Sequence, residues 1–97
     1  MDLKEYANMF KAIGDETRLF ILKKLITNDE LCACKLLEMV NCNQSTLSHH
    51  MKILTDSGLV IARKDWKWVH YSINKEKVEL LNNPILSNYL IIRLFLC

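Results

Sequence analysis

Two cysteines separated by one residue, Cys32 and Cys34, are the side chains of this chain best suited to binding a soft ion. They precede Leu36 and Leu37, which begin a helical apolar pattern, so we expect them at a helix N-terminus. That position lowers the pKa of a thiol, and thiolates are the ligands that soft ions prefer. We therefore predict a thiol site at Cys32 and Cys34. The alternative is that both are small buried hydrophobic residues.

Geometry limits how these cysteines could act together. Residues i and i+2 of a regular helix point about 200° apart, so both sulfurs reach one ion only if the first turn unwinds. That unwinding would shift the helix that the two cysteines begin, and so carry the effect of ion binding to the helix that comes after it. Cys42 lies about eight residues beyond Cys34, roughly 12 Å along a helix, and is a poor additional ligand. The adjacent His49 and His50 point about 100° apart and cannot chelate one ion from a helix.

The helix that follows Asn43 is predicted to have one apolar and one polar face. Leu47, Met51 and Leu54 recur at i, i+4 and i+7 and should be buried. The opposite face is short, polar and partly basic, with no acid before Asp56. Such a face suits the major groove of DNA, and the alternative is an ordinary solvated surface. We predict that bases are read by Ser45, Thr46, Ser48 and His49, and that phosphates are bound by Gln44 and Lys52.

The positive charge of the chain is concentrated in this helix and the residues after it. The formal net charge is only +2, but residues 44–75 carry five basic and two acidic side chains, a net charge of +3. A DNA-binding surface concentrates charge in this way. Residues 59–64 and 68–73 are rich in β-branched and aromatic residues and predict a hairpin. Its turn would bring Arg63, Lys64 and Lys67 to flanking phosphates or the edge of a groove.

These elements predict a single domain over residues 1–97 that is mainly α with a small β-hairpin. The helix-turn-helix covers about 32–57, the hairpin about 59–73 and a short helix 75–81. Two helices precede them, at 3–13 and about 16–27. The first has an apolar stripe of Leu3, Tyr6, Ala7, Phe10 and Ile13, and the second should bury Leu19, Ile21, Leu22, Leu25 and Ile26.

A last helix, at about 85–97, is apolar on more sides than one small core can cover. We therefore predict a homodimer formed through this helix and the first one. No N-terminal segment resembles a secretion signal, and no stretch approaches the roughly 20 apolar residues that span a bilayer. We expect a cytoplasmic protein with no membrane partner. Paired carboxylates, a glycine-rich phosphate loop and a Ser/His/Asp set are missing, which argues against an enzyme.

Several segments, taken in order, resemble the arsenic-repressor (ArsR/SmtB) family of winged-helix, metal-responsive repressors. They are GDETRLFILKKL, ELCACKL, QSTLSHHMKIL, SGLV and KWVHYSI, and the resemblance covers about residues 3–73. It implies a winged helix-turn-helix that dimerises through its terminal helices and binds double-stranded operator DNA. It also implies no required cofactor, and release from DNA by arsenite, antimonite or another thiophilic ion such as Cd or Zn.

The chain departs from the family pattern at two positions. The family pattern ELCxCxLC supplies a third cysteine where this chain has Leu37, and trivalent arsenic favours three sulfurs. Cys97 is therefore the candidate third ligand, and a two-sulfur site is the alternative. The family usually has a glycine near the wing tip, where this chain has Trp66. Because tryptophan resists positive φ, we do not expect a tight turn here. Two alternatives stay open: an exposed Trp66 that packs on DNA sugar or on the partner subunit, or a looser wing with Trp66 partly buried.

Two other functions remain open at this point. A winged-helix regulator could have a thiol redox input or no inducer, because the third family cysteine is missing. Alternatively, a winged-helix domain could serve as a protein-interaction module that docks a partner through its apolar C-terminal segment.

Overall fold

The computed structural model describes residues 2–81, which fold into five α-helices and three short β-strands. The elements are α1 (Leu3–Ile13), α2 (Glu16–Ile26), β1 (Leu31–Cys32), α3 (Ala33–Met39), α4 (Gln44–Asp56), β2 (Val60–Asp65), β3 (Trp68–Ile73) and α5 (Lys75–Leu81). The strands form one antiparallel sheet in the order β1-β3-β2. The predicted winged helix-turn-helix is confirmed, with α3 and α4 as its helices and the β2-β3 hairpin as its wing. The helix predicted at 85–97 lies outside the described residues.

Short polar side chains begin the helices by accepting hydrogen bonds from backbone N–H groups of the first turn. Asp15 caps α2 by accepting a hydrogen bond from the backbone N–H of Arg18 (3.0 Å), and this bond lowers the pKa of the Asp15 carboxyl. Asn43 caps α4 through the N–H of Thr46 (2.8 Å). Gly58 follows α4 with φ of 84°, which glycine adopts without strain, and the chain turns there toward β2.

The core lies between the helices and the sheet, and α4 contributes its apolar stripe to it. Leu47, Met51 and Leu54 are 3%, 2% and 0% exposed, which confirms their predicted burial. The other core residues are Met9, Ala12, Ile21, Leu22, Leu25, Leu31, Leu36, Val40, Leu59 and Val60. Burial of the stripe leaves the polar face of α4 directed outward. No helix described within residues 2–81 is long and apolar enough to cross a membrane.

The predicted burial of α2 is wrong at two positions, since Leu19 and Ile26 are 50% and 64% exposed. In α1, Leu3 and Phe10 of the apolar stripe are 71% and 42% exposed. Helical periodicity identifies apolar positions, but a helix that packs by one face covers only some of them. These four side chains lie on faces of α1 and α2 that the described core does not cover.

The first helix of the motif starts slightly later than predicted, because Leu31 and Cys32 form the short strand β1. Leu31 pairs with Tyr71, and Cys32 pairs with His70, in antiparallel register. Two residues are too few to produce an alternating pattern, so pairing with β3 rather than local sequence makes this segment extended. β1 thereby attaches the start of α3 to the wing.

The wing turns tightly through Trp66 and Lys67, so the expected looser turn is wrong. Asp65 pairs with Trp68 across the turn, and Trp66 has φ of 61°. This left-handed conformation costs an L-residue roughly 1–2 kcal/mol. Six paired positions between β2 and β3 set the register of the hairpin and impose the conformation on Trp66. Of the two alternatives for Trp66, the partly buried ring is wrong, since 86% of the residue is exposed.

Candidate DNA interface and thiol site

The outer face of α4 presents the side chains that are predicted to contact DNA. Exposed there are Gln44, Ser45, Thr46, Ser48, His49 and Lys52. The hydroxyl of Ser45 donates to Asn43 Oδ1 (2.9 Å), which orients the first turn. Lys52 Nζ lies 3.2 Å from Asp56 Oδ2, and both side chains are exposed. Since exposed ion pairs contribute little free energy, Lys52 can exchange this carboxylate for a phosphate.

His50 faces inward and serves to position α4 rather than to extend its outer surface. Its side chain is 13% exposed, and its Nδ1 lies 3.2 Å from Nη1 of Arg18. Arg18 also donates from Nε to the carbonyl of Ala12 (2.7 Å) and from Nη2 to that of Lys11 (3.3 Å). One guanidinium on α2 therefore joins the end of α1 to α4. His49 is left as the exposed histidine of the pair.

The three predicted basic residues of the wing, Arg63, Lys64 and Lys67, are all exposed but have different surroundings. Arg63 donates two hydrogen bonds to the carboxylate of Glu30, from Nε to Oε2 (3.0 Å) and from Nη2 to Oε1 (2.7 Å). Its Nη1 also lies 3.9 Å from Asp65 Oδ2. The hydrogen bonds to Glu30 raise the pKa of Arg63. This cation is therefore oriented, and part of its charge is balanced within the protein.

Glu30 is a candidate functional residue that the sequence does not predict. Besides binding Arg63, its Oε1 lies 3.7 Å from Nδ1 of His70, and the hydrogen bonds from Arg63 lower its pKa. Glu30 and Arg63 are 33 positions apart, so no local pattern relates them. The pairing of β1 with β3 brings them together, because Glu30 directly precedes β1.

Cys32 and Cys34 contact each other at the junction of β1 and α3. Cys32 is the N-cap of α3, and its Sγ accepts a hydrogen bond from the backbone N–H of Cys34 (3.3 Å). Hydrogen bonds from the thiol and the backbone N–H of Cys34 lower the pKa of Cys32, and the thiol contact raises the pKa of Cys34. A thiol with a lowered pKa therefore lies against a second thiol, which is an arrangement that suits a thiophilic ion.

The predicted unwinding of α3 is not required to bring the two sulfurs together. That prediction places both cysteines in the helix, but Cys32 precedes α3 with φ of −67° and ψ of 147°. Because the backbone is extended at Cys32 and helical from Ala33 onward, the two side chains meet directly.

Two of the three candidate sulfur ligands are present in the part of the chain that the structure describes. Over residues 2–81, no three or more His, Cys, Asp or Glu side chains are grouped so that they could hold a metal ion. Cys42 is half-buried against the core. Cys97 lies outside the described residues.

A cavity of about 380 Å³ between α3, α4 and the wing joins the thiol site to the candidate DNA interface. Cys34 lines it from α3, Gln44 and Ser48 line it from α4, and Lys67 and Trp68 line it from the wing region. A ligand held at Cys34 would therefore lie near side chains that are predicted to contact DNA.

Comparisons with known proteins show which family and which proteins this chain is similar to. A family model described as "Bacterial regulatory protein, arsR family" matches residues 15–62. The chain is 44% identical to the arsenical resistance operon repressor of Staphylococcus xylosus, over 88% of this chain and 81% of that one. It is 36% identical to a CadC homologue of Staphylococcus aureus, a cadmium resistance transcriptional regulatory protein, over 79% of this chain and 64% of that one. The solved structure of HlyU from Vibrio cholerae has a TM-score of 0.72 at 30% identity and covers 100% of both chains.

Proposed function

Because the chain belongs to the arsR family of bacterial regulatory proteins, we propose that it is a homodimeric repressor that a thiophilic ion releases from operator DNA. The observation that carries the proposal is the outer face of α4, which is exposed and has no acid before Asp56. The named relatives are transcriptional regulators, so we assign no catalytic activity and place the protein's action at cytoplasmic DNA.

In this proposal α4 reads the major groove and the wing contacts the flanking backbone. Bases are read by Ser45, Thr46, Ser48 and His49, and phosphates or the groove edge are bound by Gln44, Lys52, Arg63, Lys64 and Lys67. The Glu30 carboxylate holds the Arg63 side chain in one orientation, which lowers the entropy cost of placing it on DNA.

The proposed inducer site consists of Cys32 and Cys34, with Cys97 as the candidate third sulfur. The names of the relatives point to arsenic and cadmium, and the thiolate chemistry also admits antimonite and Zn. Two connections support coupling to DNA. Cys32 pairs with His70 in the sheet, so a shift of β1 reaches Glu30 and the wing. Cys34 shares its cavity with Gln44 and Lys67.

The apolar residues left uncovered on α1 and α2 support the proposed dimer. Leu3, Phe10, Leu19 and Ile26 are exposed, and an interface would remove such residues from water. We expect light scattering at micromolar concentration to give twice the mass of one chain. A monomer under these conditions would contradict the dimer.

Replacing His49 and Lys52 separately should distinguish base reading from phosphate binding. We expect His49→Ala to lower the preference for operator over random DNA by roughly tenfold, because a lost base contact costs about 1–3 kcal/mol. Lys52→Ala should weaken binding to both duplexes equally and reduce the salt slope by about 1. Fluorescence anisotropy on the two duplexes at several salt concentrations measures both effects. Equal losses on both duplexes for His49→Ala would contradict base reading at that position.

The test of the whole proposal is anisotropy of the reduced protein on a labelled duplex from upstream of its own coding region, titrated with arsenite. Salt-dependent binding that arsenite reverses would support the repressor. Binding that ignores arsenite and cadmium but is reversed by peroxide would favour a redox input instead, to which the lowered pKa of Cys32 is also suited. A dimer that binds neither this duplex nor random DNA would favour a protein-interaction module.

A further inference from the structure

Trp66, at the tip of the wing, is the most exposed large apolar side chain in the described part of the chain. Its exposed fraction is 86%, against 47% for Trp68, and it projects from a turn of only two residues. Burial of a tryptophan removes a large apolar area from water, but Trp66 contributes almost none of its area to the described fold. Its ring is therefore available to an external partner.

The backbone conformation at Trp66 also costs folding free energy. Across residues 2–81, Trp66 is the non-glycine residue with positive φ, at 61°. A glycine at position 66 would remove the strain without losing buried contacts, because little of the indole packs against the described fold. A strained residue whose side chain does not stabilise the fold points to a role in binding.

The charges around the ring indicate what it binds. Lys67 Nζ lies 5.8 Å from the centroid of the Trp66 ring and 5.4 Å from that of Trp68. Lys64 is exposed on the same hairpin, and the nearby acid, Asp65, lies 3.9 Å from Arg63. An apolar ring with a lysine ammonium beside it complements a sugar-phosphate backbone, which combines apolar deoxyribose faces with anionic phosphates.

We propose that Trp66 is a DNA-binding residue whose indole packs on the deoxyribose beside the sequence read by α4, while Lys67 binds an adjacent phosphate. The proposal rests on the proposed DNA-binding function and adds a contact that depends on shape rather than charge. Because every nucleotide has the same sugar, the contact strengthens binding without adding sequence preference.

Replacing Trp66 with glycine tests the proposal, because the stability of the fold should rise while the affinity for DNA falls. We expect Trp66→Gly to raise Tm by about 3 °C at fixed protein concentration, since strain is removed. We expect affinity to fall by roughly tenfold on operator and random duplexes alike, with the salt slope unchanged. Unchanged affinity, or a Tm that falls together with affinity, would overturn the proposal. The second result would assign Trp66 a structural role.

A fluorescence measurement tests the contact directly. The chain has two tryptophans, so Trp68→Phe leaves Trp66 as the sole tryptophan, which can be excited selectively over the three tyrosines. Saturation of this variant with unlabelled duplex should quench the Trp66 emission and protect it from acrylamide, while anisotropy on a labelled duplex confirms binding. Binding without either change would overturn the Trp66 contact but leave the repressor intact. An absence of binding by this variant and by wild type would overturn both proposals. Protection from acrylamide before DNA is added would place Trp66 against another protein chain and overturn the contact with DNA.

Discussion

Cys32→Ser is expected to bind operator DNA as wild type does but to lose its response to arsenite. In the proposed site both thiols bind the same ion, so the second sulfur binds at a high effective concentration. Loss of one sulfur should raise the arsenite concentration for half-release by at least roughly 100-fold. Anisotropy of the preformed DNA complex, titrated with arsenite under reducing conditions, measures the shift.

This substitution separates sensing from folding because of where Cys32 lies. Cys32 is the N-cap of α3, and its Sγ accepts the N–H of Cys34. Serine is a preferred N-cap residue, so the variant keeps the cap while losing the thiolate. Cys34→Ser should lose the response in the same way, and Cys42→Ala should retain it as the matched control. A Cys32→Ser protein that is released by the wild-type arsenite concentration would contradict a sensor at this pair.

Arg18→Met is expected to lower the free energy of unfolding by about 2–3 kcal/mol. Arg18 donates to the carbonyls of Lys11 and Ala12 and contacts His50, and the substitution removes all three interactions while keeping much of the aliphatic stem. The two carbonyls lie at the end of α1, where they lack partners within the helix. Urea denaturation at fixed protein concentration measures the loss, with an unchanged m-value showing that the denatured state is unaffected.

A second substitution by methionine on α2, at a lysine, provides the control. Lys23 is exposed, so Lys23→Met should change stability by no more than about 0.5 kcal/mol. A double-mutant cycle of Arg18→Met with His50→Ala should give a coupling energy of at least about 0.5 kcal/mol, since the two side chains are in contact. If Arg18→Met and Lys23→Met had equal effects, Arg18 would not be the connection between α1, α2 and α4.

Features that depend on neighbours within a few residues could be predicted from the sequence. The buried stripe of α4 follows from helical spacing, and the caps at Asp15 and Asn43 follow from hydrogen bonds to a backbone N–H three positions away. The same periodicity sets which side chains of α4 face outward. The family resemblance added two expectations: a winged helix-turn-helix fold, and release of DNA when an ion binds the thiols.

Features that depend on packing could be decided only by the tertiary structure. Periodicity did not show that Leu19 and Ile26 lie on an uncovered face of α2, because the choice of face belongs to the whole core. The tight turn at Trp66 contradicts local preference, since the register of two strands imposes it. If both Cys32 and Cys34 lay in a helix, their sulfurs would point apart. Pairing of β1 with β3 instead makes the backbone at Cys32 extended and brings the thiols together.

The Glu30–Arg63 pair shows most clearly why sequence was insufficient. Residues 44–75 carry a net charge of +3, and that sum treats Arg63 as an independent cation. In the structure a carboxylate from outside the segment binds Arg63 through two hydrogen bonds. Sequence alone determined the helix α4, its caps and its polar face, because those depend on local interactions. The tertiary structure decided the partners of the wing and the geometry of the thiols, because both depend on a strand register that joins distant residues.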